Sequence, residues 1–580
     1  MKKMYTDEIA TLQLISLLKA HNINQVIVSP GNTNISFVGS IQNDPFFQIY
    51  SCVDERSACY MACGLAEESG RPVVLSCTGA TAARNYPAGL TEAYYRKLPV
   101  LAVTSSQHFG KVGQLFPQFT DRNVQFNDIV VKSVQIPYPF SKEQRWSNNI
   151  KINDALLELT RNNCGPIHIN IETLFSRNFD ITELPNERVI RRYNLNDKKP
   201  IIYAKKVCIF VGSHKKFDKK LEDKMDEFCS KYNGIVLCDQ TSNYKGKYRI
   251  LGGLLASQND YYPECRRCDL VIHIGEISGS YYGFKNEEIW RVNSDGEVRD
   301  YFKNLTNVFE MNEYDFFNYY CSLKKESNNT YFEEWTKEEN RLKQKLPELP
   351  LSNVWMCQQT AGKLPENSVL YLGILNSLRS WNLYDVPKSV YTYSNVGGFG
   401  IDGTISSCVG ASFNDENKLY FCVLGDLATF YDLNSLGNRH IKNNIRIIVS
   451  NNGTGFEMHC SGSIGNEFGL DADKYMAAGG HFGNKSRSLL KHFAEDLGFE
   501  YIKAETKAEY LKNLNHFLTS KRLEKSIIFE VFVNEEDDKF SYDATKNLEL
   551  SSSGNIKKMA KNILGKENYQ KIKRIIKGNE

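Results

Sequence analysis

A chain of 580 residues with a net charge of only +3, 41% hydrophobic and 24% charged, reads as a globular protein too long for a single core. The near-neutral balance excludes a nucleic-acid footprint spread over the body of the protein. No stretch approaches the ~18 uncharged apolar residues needed to span a bilayer. The opening Met1–Glu8 lacks the apolar segment of a secretory signal, which predicts a cytoplasmic setting. The 15 cysteines fit that setting, because Cys52, Cys77, Cys208, Cys238 and Cys422 lie inside apolar runs, where cysteine acts as a small hydrophobe. Cys265 and Cys268 make the one CxxC spacing, with no second pair to complete a zinc site.

In chain order, short apolar strands alternate with longer amphipathic segments in three blocks. The first carries strand candidates at 25–29, 48–53, 73–78, 100–104 and 167–171, the second at 207–212, 235–239, 270–275 and 289–293. The third carries them at 368–373, 390–394, 419–424, 445–450 and 526–533. Strands separated by helical patterns imply βαβ units. The expected fold class is therefore α/β: three doubly wound parallel-sheet domains at 1–180, 200–330 and 350–535. Polar linkers fall at 179–200 and 324–350, the second holding a solvated helix over 331–345. Beyond them, 551–580 reads as a basic helical tail, with Ile556, Met559, Ile563 and Ile572 on one stripe opposite lysines. Such a stripe packs on its own or a neighbouring subunit, or docks on a membrane surface.

Two segments of the third block carry the clearest chemistry. Gly425-Asp426-Leu427 closes the run 419–424, and Asn451-Asn452-Gly453 closes the run 445–449, with a helical stretch expected over 432–442 between them. Either alone reads as a turn. Together, 25 positions apart at strand C-termini, they fall where open α/β sheets bind ligands. Asp426 offers a carboxylate, Asn451 or Asn452 an amide oxygen and Gly453 a carbonyl, the oxygen set a hard divalent cation takes beside a diphosphate. In the first block Ser29-Pro30-Gly31-Asn32, Asp54-Glu55-Arg56, Thr78-Gly79 and Ser105-Ser106-Gln107-His108 end successive strands and line one crevice. Glu55 there is a general base, a metal ligand or a helix cap.

These residues, with Asp54-Glu55-Arg56-Ser57-Ala58, Gly400-Ile401-Asp402-Gly403 and Tyr431-Asp432-Leu433-Asn434, resemble the thiamine-diphosphate-dependent decarboxylase and synthase superfamily. Within it the chain is most similar to the menaquinone-pathway synthase branch, MenD, over about residues 5–535. The resemblance implies a pyrimidine-binding, a central and a diphosphate-binding domain in that order. It implies thiamine diphosphate and Mg²⁺ as cofactors, with Asp426, Asn451 and the Gly453 carbonyl on the metal. Ser29, Pro30, Gly31, Thr78, Gly79, Gly425 and Leu427 line the cofactor site. It makes Glu55 the activating glutamate, which favours the imino tautomer of the cofactor's amine, and Ile401 the wedge that bends the cofactor. It also makes the enzyme at least a homodimer, or a homotetramer, with Glu55 of one copy meeting Asp426 of another.

The substrate positions depart from that branch. Asn32 and Thr33 stand where it carries Ser-Arg, Ser278-Gly279-Ser280-Tyr281 where its central domain is basic, and Trp381 and Val396 where it carries arginines. Arginines suit substrates rich in carboxylates, so their loss points to a 2-oxoacid and carbonyl acceptor other than the menaquinone pair. Arg379, Arg84 and His108 are partial replacements. His108, Gln118, Glu457 and His459 are candidates to move protons or orient the substrate. Two alternatives stand beside this reading: a simple 2-oxoacid decarboxylase of the phosphonopyruvate or sulfopyruvate kind, and a non-catalytic cofactor-binding subunit.

Overall fold

The computed structural model describes residues 4–259, 261–280, 285–323, 328–482 and 485–549; the tail read at 551–580 and Tyr281 lie outside them. The described residues fall in two compact units, one within Met1–Lys199 and Ser294–Glu310, the other within Pro200–Asn293 and Met311–Glu580.

The first unit opens with β1 (Gln25–Val28), β2 (Gln48–Ser51), β3 (Val73–Thr78), β4 (Val100–Ser106), β5 (Lys132–Ile136) and β6 (Ile167–Glu172). They form an all-parallel sheet in the order β2-β1-β3-β4-β6-β5. Successive residues of a strand point to opposite faces, and both faces are covered. Val26, Val74 and Leu101 join Leu14, Leu18 and Phe37 in one core. Ile27, Leu75 and Ala102 join Ala58, Cys59 and Leu90 in the other. This double burial is why the strands read as continuous apolar runs. The polar segment 179–200 carries β7 (Arg191–Asn194), which pairs in parallel with β13 (Leu305–Glu310) of the same unit.

In the second unit β8 (Val207–Val211), β9 (Gly234–Cys238), β10 (Arg249–Leu251), β11 (Arg267–Ile274) and β12 (Lys285–Val292) pair in the order β10-β9-β8-β11-β12. A further sheet is built from β14 (Val369–Leu372), β15 (Tyr391–Tyr393), β16 (Tyr420–Gly425), β17 (Ile445–Asn451), β18 (Glu500–Ala504) and β19 (Ile527–Phe532). Its order, β15-β14-β16-β17-β19-β18, repeats that of the first sheet strand for strand. The strand pairings of these two sheets are parallel. In each repeat the order reverses between the first and third strands, and ligands of open sheets bind at such a switch point.

One expected element differs. The helical stretch expected over 432–442 ends early: the α-helix runs Asp426–Asp432 and passes into a single tight turn, Leu433–Gly437. Asn434, Ser435, Gly437 and Asn438 favour turns over helix, and Asp432 is occupied in accepting the Ser406 N–H at 2.7 Å. The solvated helix expected over 331–345 runs Thr330–Lys343. No helix among the described residues is long and apolar enough to cross a membrane. Cys265 and Cys268 are buried free thiols, and no described cluster of His, Cys, Asp or Glu would hold a metal ion.

Candidate functional site

At the switch point of the first sheet the loops after β1, β3 and β4 are tied together by Thr33. Its hydroxyl donates to the Ser105 carbonyl at 2.8 Å and accepts the Gly79 N–H at 3.1 Å. It also lies 2.5 Å from the Thr78 hydroxyl. Ser29 is fully buried, its N–H donating to the Ser76 carbonyl, and Asn34 donates back to the Ser29 carbonyl at 3.1 Å. Gly31 is required by this closeness, since a Cβ there would sit 2.6 Å from that of Thr78. Gly79 is under the same constraint, with the Ser105 carbonyl oxygen 2.8 Å from where its Cβ would be. The next residue, Ala80, holds φ 59 and ψ −133, a conformation ordinarily left to glycine. Pro30 is exposed beside them.

Glu55 opens the helix Glu55–Ser69, but it does not cap it. Asp54 does, accepting the Ser57 N–H at 2.6 Å. The half-buried Glu55 carboxylate receives only a 3.3 Å hydrogen bond from Asn85 Nδ2 among the described contacts. It is thereby left available to a ligand. His108 caps a single turn, Phe109–Lys111, and is mostly exposed; its Nδ1 accepts the Gly110 N–H at 3.1 Å. Its Nε2 lies 4.0 Å from the buried Glu172 carboxylate. Gln118 is exposed with φ +70.

In the second unit the β16 and β17 ends meet. Asp426, 7% exposed, accepts N–H groups of its own backbone, Leu427 and Gly453. Burial nevertheless pushes its carboxyl up to about 7, with Glu530 adding to the shift. Gly425 is the last residue of β16 and Gly453 adopts φ +76, which a side chain would strain. Asn451 ends β17 and gives its Nδ2 to Glu530 at 2.6 Å, leaving its oxygen uncommitted to that pair. Glu530 is held in turn by the Tyr501 hydroxyl at 2.7 Å. Asn452 is turned elsewhere: it hydrogen-bonds the buried Asp538, whose other donors are the Asn353 N–H and side-chain amide. The two asparagines are therefore not equivalent.

A buried carboxylate, an amide oxygen and a glycine carbonyl in contacting loops can hold a hard divalent cation, which would reverse the desolvation that now disfavours the Asp426 charge. Ile401 is half-buried on the loop that leads through Gly403, at φ +81, into the helix Thr404–Ser412. Arg379 forms a bidentate pair with Glu457, at 2.6 and 3.3 Å, beside a cavity of about 380 Å³ also lined by Ser280, Asn382, Phe399 and Lys546. His459 is buried, its ring nitrogens 3.0 Å from Asp473 and 3.4 Å from Glu535. Trp381 and Val396 are core residues, and Ser278 donates to Asp239 at 2.6 Å. Arg84, exposed in the first unit, donates to the Asp121 carbonyl at 2.9 Å.

Sequence reasoning missed Thr33 as a clasp, Glu530 as the partner that orients Asn451, and the buried Arg122. The first two had no local signal, because each acts through contacts across strands far apart in the chain.

Residues 10–126 match the family model described as thiamine pyrophosphate enzyme, N-terminal TPP binding domain. The chain is similar to the 2-succinyl-5-enolpyruvyl-6-hydroxy-3-cyclohexene-1-carboxylate synthase of Bacteroides thetaiotaomicron, 30% identical over 561 residues, which cover 92% of this chain and 98% of that protein. The same-named proteins of Phocaeicola vulgatus (29% identical; 92% of this chain, 97% of theirs) and Christiangramia forsetii (27%; 90% and 95%) match over similar lengths.

Proposed function

Because the chain belongs to the family of the 2-succinyl-5-enolpyruvyl-6-hydroxy-3-cyclohexene-1-carboxylate synthases, thiamine-diphosphate-dependent enzymes that form C–C bonds, we propose that it uses thiamine diphosphate with Mg²⁺ to decarboxylate a 2-oxoacid and transfer the acyl-anion equivalent to a carbonyl acceptor. The observation that carries this reading is Asp426, a carboxylate buried at a strand end against the Gly453 N–H. A buried anion without a cation is costly, and a bound metal–diphosphate gives it a purpose. The metal ligands in this reading are Asp426, Asn451 and the Gly453 carbonyl, with 350–535 holding the diphosphate and 1–180 the pyrimidine.

The cofactor supplies an electron sink for the carbanion left by decarboxylation. The protein supplies the rest. Glu55 of a second copy of the chain would hold a proton for the pyrimidine ring, an arrangement that calls for at least a dimer. The apolar Ile401 would shape the cofactor's seat, and the loops clasped by Thr33 would frame the pyrimidine end. His108 and His459 are the proton-carrying candidates. His108 is the freer of the two, since His459 faces a carboxylate with each ring nitrogen. A reducing, cytoplasmic setting belongs to the same proposal.

The substrates proposed differ from those in the relatives' names. The positions where the menaquinone branch carries arginines are here the buried Trp381 and Val396, and neighbouring Ser278 is committed to Asp239. Three measurements test the reading. Calorimetry should show Mg²⁺-dependent binding of thiamine diphosphate that Asp426→Ala abolishes; unchanged binding in that variant would remove the anchor. Glu55→Gln should keep the cofactor but lose exchange of its C2 proton. A panel of 2-oxoacids, with and without aldehyde or sugar-derived acceptors, should show CO₂ release and a new C–C bond. Free aldehyde as the sole product would make it a simple decarboxylase.

A further inference from the structure

Among the described residues, buried and partly buried guanidinium groups meet a carboxylate or a backbone carbonyl, whereas Arg122 meets neither. Arg188 meets Asp300 at 2.7 Å and Arg192 meets Glu158 at 2.9 Å. Arg446 donates to the carbonyls of Phe517 and Lys521, and Arg266 to those of Tyr261 and Ala256. Arg122 is 5% exposed, yet it forms no ion pair with a described carboxylate. Its described side-chain hydrogen bond is a 3.4 Å contact from Nη1 to the Thr120 hydroxyl, and Nε has no partner. Such a group costs several kcal/mol unless something anionic completes it.

Its place is specific. The guanidinium lies against Gly79, with Nη1 and Nη2 2.8 and 3.1 Å from where a Cβ would stand, so the missing side chain makes the room. Gly79 follows β3 at the switch point of the first sheet. Glu55 follows β2 at the same edge of this parallel sheet, and its carboxylate receives a hydrogen bond from Asn85, six residues after Gly79. Arg84 adds a second, exposed guanidinium close enough to disfavour the Arg122 charge, and it too has no described carboxylate partner. Burial brings Arg122 down to about 10, which leaves it cationic at neutral pH.

We propose that Arg122, with Arg84 at its rim, is the carboxylate anchor of this enzyme, a subsite that receives the carboxylate of the 2-oxoacid. The inference rests on the functional reading above and deepens it. A planar fork of N–H donors matches a planar carboxylate with two parallel hydrogen bonds. It places positive charge beside Gly79, at the switch point of the first sheet.

The test uses the full-length holoenzyme. Oxalate, a planar mimic of a 2-oxoacid, is titrated calorimetrically into wild type, Arg122→Gln and Arg122→Lys. Oxalate should bind wild type, weaken about thirty-fold or more in Arg122→Gln and fall between in Arg122→Lys, while thiamine diphosphate affinity is unchanged in all three. Added methylguanidinium should restore part of the loss in Arg122→Gln, which a merely structural role would not allow. Equal oxalate affinity in wild type and variants overturns the anchor, as does absence of oxalate binding to wild type. Sedimentation separates the other candidate partner: an Arg122→Lys enzyme that falls to monomers shows that the guanidinium meets a second copy of the chain, which also overturns it. If oxalate binding depends on Arg122 but no 2-oxoacid in the panel releases CO₂, the subsite stands and the decarboxylase reading fails.

Discussion

Glu339 gives the structure's most quantitative test. It lies on the helix Thr330–Lys343, 5% exposed, with one carboxylate oxygen accepting the Leu255 N–H at 3.0 Å and the other without a hydrogen-bond partner. Burial pushes its carboxyl from 4.5 up to about 7; Asp385 and Glu338 add to the shift, and the Leu255 N–H and Lys343 oppose it. A carboxyl that holds its proton more tightly when folded makes the folded state bind more protons between those two values. Stability is therefore fully present below about 4.5 and falls as pH rises through about 7. At about 1.4 kcal/mol per pH unit the interval corresponds to about 3 kcal/mol. Glu339→Gln keeps the acceptor for Leu255 and removes the charge, so it should match wild type near pH 4 and exceed it by up to about 3 kcal/mol above pH 8. A chain of several domains does not unfold in one step, so the assay is local: hydrogen exchange of the Gly253–Ala256 and Thr330–Lys343 helices from pH 5 to 8, back-corrected for intrinsic rates. Parallel pH profiles in the two proteins would refute the reasoning.

Three further outcomes are expected. His168 is buried between the Thr104 and Ser133 hydroxyls at 2.8 and 2.9 Å, and burial lowers it from 6.5 to about 3. The unfolded chain therefore takes up the proton first, and the first unit should lose stability as pH falls from about 6.5 toward about 3. His168→Gln should flatten that acid limb in thermal melts, and an unchanged limb would contradict the assignment. Gly89→Ala would put a Cβ 2.6 Å from the Cys59 sulfur, where the helices Glu55–Ser69 and Tyr86–Arg96 touch. The expected loss is about 1–3 kcal/mol, read as a lower Tm and, because Glu55 opens one of those helices, weaker cofactor binding. Glu530→Ala should free the Asn451 amide to rotate and weaken Mg²⁺ by about ten- to a hundred-fold, measured by calorimetry; an unaltered Mg²⁺ affinity would show that the amide needs no orienting.

The α/β class and most strands were legible because buried parallel strands write themselves as apolar runs. Five strands escaped, β5, β7, β10, β13 and β18, and all but β13 share a reason. β5 and β18 occupy the same edge position in the two repeated sheets, only one residue of each is fully buried, and lysine or glutamate interrupts the pattern. β7 and β10 are short, and β7 is arginine-rich. Edge strands carry charge to discourage further pairing, and that charge hides them. At the site, residues at strand ends such as Asp426 and Glu55 announced themselves by neighbouring glycines and turn formers. Glu530 did not, since a lone glutamate inside the apolar run Ile527–Phe532 gives no hint that it faces Asn451. Arg122 sits in a long segment without periodicity, and its burial is a property of the fold alone.

The Thr33 clasp bears on how such an enzyme changes its chemistry over time. One hydroxyl there satisfies the Gly79 amide, the Ser105 carbonyl and Thr78 at once. Exchanging it for a long cation would strip those three groups of their shared partner at once, whatever contact the cation itself gained. Position 33 is thus coupled to its surroundings: a change there has to be matched at Gly79, Thr78 and Ser105 together.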